Sequence, residues 1–77
     1  MISSVIAKLD PTFADIAQTF EFISQRPGVE MGEVVDERSL PMTIESATSA
    51  ETEETTRWLQ ELDGIEFVDV VFVHFEL

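Results

Sequence analysis

The sequence predicts an α+β domain of order βαββαβ, and three observations carry that reading. The closing stretch Phe67-Val68-Asp69-Val70-Val71-Phe72-Val73-His74-Phe75 is short, rich in Val and Phe and preceded by Gly64, which is the signature of a strand. Two segments, one after Asp10-Pro11 and one after Thr48, carry apolar residues at helical spacing. Between them lie two further apolar-alternating runs separated by the polar turn Asp36-Glu37-Arg38-Ser39.

Ile2 to Leu9 reads as the first strand, with Val5, Ala7 and Leu9 on one side and Ser4, Ile6 and Lys8 on the other. Asp10 is the expected N-cap of the first helix, because Pro11 tolerates the first helical turn. Phe13, Ile16, Ala17, Phe20 and Ile23 form its apolar stripe, and Phe13, Phe20 and Phe22 are expected as core or near-core mass. Arg26-Pro27-Gly28 stops it. The second strand is expected over Val29 to Asp36 and the third over Leu40 to Ala47, with Pro41 near the latter's start, where a missing donor is best tolerated. Thr48 and Glu51 have the spacing of a capping box, and Ala50, Thr55, Trp58, Leu59 and Leu62 give the second helix an inward stripe ending at Asp63-Gly64. In the last strand, parity puts Val68, Val70 and Phe72 on one face and Asp69, Val71, Val73 and Phe75 on the other.

Right-handed crossovers and a hairpin between strands two and three predict one four-stranded antiparallel sheet in the order 4-1-3-2, with both helices on one face: the ferredoxin-like fold. Residues 1–77 read as a single such domain.

Composition narrows the function. Sixteen acids against four bases give a net charge of −12, which repels nucleic acid and attracts a basic partner. There is no Cys, and the lone His74 has no second His beside it, so neither a thiolate nucleophile nor a metal centre is expected. The serines sit in no nucleophile elbow, and the three glycines are isolated rather than gathered in a phosphate loop. Glu51, Glu53 and Glu54 are explained by the favourable dipole at a helix start. Enzymatic activity, a cofactor and a bound metal are therefore not expected. Met1 to Lys8 lacks the basic start and apolar stretch of a signal peptide, and no apolar run approaches membrane-spanning length. A soluble, cytoplasmic protein with no membrane insertion is expected.

What remains is the sheet face opposite the helices. Parity assigns it Ser4, Ile6, Lys8, Val34, Thr43, Glu45, Asp69, Val71, Val73 and Phe75, with Glu30 and Gly32 beside them. Ile6, Val71 and Val73 would make an apolar strip rimmed by Glu30, Glu45 and Asp69, which suits an amphipathic segment bearing basic residues. A sheet-to-sheet homodimer, or a regulatory or small-ligand module of the same fold, would use the same surface.

Four stretches resemble the NapD-type chaperones: Ile2-Ser3-Ser4-Val5-Ile6, Arg26-Pro27-Gly28-Val29-Glu30, Leu62-Asp63-Gly64-Ile65, and Asp69 through Glu76. The resemblance spans nearly the whole chain. It implies a ferredoxin-like, cytoplasmic assembly chaperone that holds the twin-arginine signal peptide of a molybdenum-containing reductase, the periplasmic nitrate reductase catalytic subunit. Holding that peptide on the sheet would delay export until the cofactor is inserted.

Overall fold

The computed structural model describes residues 1–74. Its elements are β1 (Ile2–Leu9), α1 (Ile16–Gln25), β2 (Val29–Met31), β3 (Ser39–Glu45), α2 (Ser49–Gln60) and β4 (Ile65–His74). All strand pairs are antiparallel, and the order is β2-β3-β1-β4, as expected for a ferredoxin-like α+β fold. Along β1 the burial alternates strictly: Ser3, Val5, Ala7 and Leu9 are buried, whereas Ser4, Ile6 and Lys8 are not. Val5, Ala7 and Leu9 meet Leu40, Met42 and Ile44 of β3, Val68 of β4, Ile23 of α1 and Leu59 of α2 in one core. Both helices thus lie on the same side of the sheet, and among the described residues no helix is long and apolar enough to cross a membrane.

The helices differ from expectation at their edges. α1 begins at Ile16, not after Pro11. The Asp10 carboxylate accepts from the Thr12 backbone N–H at 2.9 Å and from its hydroxyl at 2.7 Å, so it closes a local turn instead of capping a helix. Within α1 the inward places belong to Thr19 and Ile23, with Ile16 and Phe20 packed alongside; Ala17 is exposed, and Phe22 is 49% exposed rather than core. Thr19 earns its buried place because its hydroxyl donates to the Asp63 carbonyl at 2.7 Å. In α2 the Thr48 hydroxyl accepts from Glu51 N–H at 3.2 Å, while the Glu51 carboxylate reaches back to Ala47 N–H at 2.9 Å. Thr52 and Leu59 are its buried residues, and Ala50 is exposed. The Arg26 guanidinium lies 4.6 Å over the Trp58 ring and ties the end of α1 to α2.

The strands differ more. β2 stops at Met31 rather than running to Asp36, and β3 covers Ser39–Glu45 rather than Leu40–Ala47. The Pro41 carbonyl accepts from Gly32 N–H at 2.8 Å, so Pro41 turns its nitrogen toward β2 as well, and the missing donor ends the ladder there. Its pairing with Ile6 of β1 loses nothing, which is how a proline is accommodated in an interior strand. Val35 and Ser39 then close the hairpin around Asp36 and Glu37, both at positive φ (54° and 63°).

β4 starts at Ile65 and carries two irregularities. Leu9 pairs with Ile65 but Lys8 with Phe67, leaving Glu66 as an extra residue; Val5 pairs with Val70 but Ser4 with Phe72, leaving Val71 as another. Arg38 bridges the first of these, donating to Glu66 at 2.7 Å and to the Leu9 carbonyl at 3.3 Å. The second changes which face the strand's valines serve.

Candidate peptide-binding face

The face away from the helices is a shallow trough. Ser4 and Ile6 of β1 form its floor, Gly32, Pro41 and Thr43 one wall, and Val71 the other, enclosing about 450 Å³. Gly32 matters here because a Cβ would stand 3.2 Å from Pro41, so a larger residue would push into the wall. Val71 is the bulged residue; the extra position lets it project into the trough, and it is 52% exposed. Asp69 pairs with Ile6 on the β4 flank, and Phe67, half exposed, pairs with Lys8 at the far end. Lys8 is held there by donating from Nζ to the Ser39 hydroxyl at 2.6 Å. At the opposite corner Glu30, Thr43 and Glu45 share a second depression of about 310 Å³ over Gly28 and Val29.

Of the residues parity assigned to this face, Ser4, Ile6, Lys8, Thr43, Glu45, Asp69 and Val71 lie on it. Val73 does not. Past the bulge it pairs with Ser3, whose side chain is buried on the helix side, and it lines a groove beneath α2 with Val70, Thr52 and Arg57. Val34 is exposed but lies beyond the end of β2 and takes no part in the trough. Phe75 falls outside the described residues. The wall residue Pro41 and the end residue Phe67 were missed, although the parity that selects Asp69 also selects Phe67.

Chemically, the face offers aliphatic and aromatic surface, three carboxylates at its margins and one ammonium. Such a set recognises shape, apolarity and charge; among the described side chains of the face no nucleophile is paired with a base. Comparison with family models, with curated proteins and with solved structures returns no match.

Proposed function

We propose that this chain is an assembly chaperone whose open sheet face holds a helical signal peptide bearing paired arginines. The resemblance to NapD-type chaperones points to the leader of a periplasmic nitrate reductase catalytic subunit, retained in the cytoplasm until its molybdenum cofactor has been inserted. One observation supports this above the others: an uncovered apolar trough, Ile6-Pro41-Val71, bordered by Glu30, Glu45 and Asp69 on a chain of net charge −12. An amphipathic helix laid along it would bury its apolar side on the trough and meet carboxylates with its cations. In this reading the chain is not an enzyme and needs no cofactor of its own.

The test is calorimetry with a peptide carrying two arginines ahead of an apolar helical stretch. Val71→Glu should weaken binding by about 2 kcal/mol or more, roughly thirtyfold, through lost valine burial and a desolvated charge. Its thermal unfolding should stay close to wild type, since Val71 is half exposed. No binding, or binding indifferent to Val71→Glu, refutes the reading. A peptide-independent dimer in light scattering that the same substitution dissolves would assign the face to self-association.

A further inference from the structure

The trough is not electrically symmetric along its length. Glu30 and Thr43 line both the apolar trough and the corner depression, so the two are continuous, and the trough runs into a basin holding Glu30 and Glu45. At the other end stands Lys8, opposite Ser39. Ser39 and Glu45 bound β3, six residues apart, so at about 3.4 Å per residue the ends of the face lie roughly 20 Å apart. That length accommodates about 13 residues of helix at 1.5 Å each. Asp69 pairs with Ile6, nearer Lys8 than Glu45, so the Lys8 end carries one ammonium and one carboxylate while the other end carries two carboxylates and no described side-chain cation of the face.

A helix laid in such a trough has a polarity of its own, positive at its N-terminus and negative at its C-terminus. Resting on the reading of this face as a peptide site, we propose that it accepts a cationic amphipathic helix in one direction only. The basic residues and N-terminus lie over Glu30 and Glu45, and the C-terminal turn lies toward Lys8 and Phe67. In that direction both the side-chain cations and the helix dipole meet complementary charge. In the reverse direction the peptide's cations face the Lys8 ammonium and its terminal carbonyls face two carboxylates. The face therefore selects segments whose cations precede their apolar stretch, and it disfavours the same composition in reversed order.

The chain has no cysteine, so a nitroxide on a single cysteine of the peptide reports from the peptide alone. With the isotope-labelled full chain, a label at the arginine end should broaden the amides of Glu30, Thr43 and Glu45 severalfold more than those of Lys8 and Phe67. A label at the other end should reverse that pattern. Glu30→Gln with Glu45→Gln should weaken the peptide about three- to tenfold and flatten the salt dependence, as expected for two solvent-exposed charge pairs. Lys8→Gln should weaken it only about twofold, by removing the charge that faces the C-terminal carbonyls, and should ease binding of the reversed-order peptide. If the amides of Ile6 and Val71 shift on titration but the labels report the opposite direction, or both directions equally, the inference falls and the peptide site stands. Full affinity in the double glutamine variant also overturns it. If those amides do not shift at all, the peptide site and the direction fall together.

Discussion

Alanine at Gly28 should cost about twice what it costs at Gly64, although both glycines have nearly the same backbone conformation. Their φ values are +83° and +89°, where an L side chain costs about 1–2 kcal/mol. The difference lies in what the new methyl meets. At Gly64 it approaches Phe13 Cδ2 at 2.7 Å and Ile16 Cδ1 at 2.9 Å, the ends of side chains that can rotate away. At Gly28 it stands 2.6 Å from the backbone oxygen of Glu45, inside the 3.0 Å that Cβ atoms keep. Relieving that contact moves the start of β2 away from β3 and strains the 2.7 Å hydrogen bond from Glu45 N–H to the Gly28 carbonyl, worth about 1 kcal/mol. The expected totals are about 1–2 kcal/mol for Gly64→Ala and about 2–4 kcal/mol for Gly28→Ala, against a total stability of roughly 4–11 kcal/mol for a chain this size. Urea unfolding followed by the fluorescence of Trp58, the only tryptophan and packed against the core, measures both. With a slope near 1 kcal/mol per molar urea, Gly28→Ala should lower the midpoint by about 2 M or more. Equal midpoints, or the larger loss at Gly64, would refute the claim that a backbone obstacle costs more than a side-chain one here.

Three other outcomes are expected. Glu37→Gly should stabilise the protein by about 0.5–1 kcal/mol, because Glu37 holds φ at +63° in the β2–β3 turn, where glycine is unstrained; denaturant titration reads it, and a loss of stability counts against that turn. Thr48→Ala should cost about 1 kcal/mol by removing the acceptor for Glu51 N–H, again read by unfolding. The Thr12 hydroxyl, followed by its backbone N–H, holds the Asp10 carboxyl below its ordinary value of 3.8, so the stability this gives is present above that value and is lost as the pH falls through the lower folded-state value. Thr12→Val should therefore raise the Asp10 titration midpoint seen by NMR without restoring it fully, since the backbone donor remains; an unmoved midpoint would remove the hydroxyl as the main cause.

The element order and sheet order could be read from periodicity and turn residues alone, because both helices and the strands β1 and β3 each bury one regular stripe. The departures arise where local signals are degenerate. Asp10-Pro11 is compatible with a capped helix and with the turn that Asp10 builds on Thr12, and only tertiary packing chooses between them. The early end of β2 depends on Pro41 lying opposite Gly32, a long-range relation that neither segment declares. In β4 the run Val70-Val71-Phe72-Val73 is apolar at every position, so alternation carries no information about facing, and an inserted residue leaves no trace in the pattern.

On the proposed reading of the open face, that hidden residue has a consequence for binding. A regular β4 would have put Val71 and Val73 together on the open face and made its apolar strip broad. With the bulge, Val73 joins Val70 beneath the edge of α2, and the open face keeps Val71 with Ile6, Pro41 and Phe67. Among the described side chains the strip loses Val73, and with it the burial energy that valine would have supplied to a guest, since that energy scales with apolar area removed from water. Selectivity must then rest more heavily on the carboxylates at the margins and on Lys8 at the end. The carboxylates are solvent-exposed and Lys8 is partly so, and their pull weakens as salt shortens the screening length to about 10 Å and below. A guest seated this way is held by modest apolar contact and steered by charge, a combination that favours fast capture and ready release over permanent association.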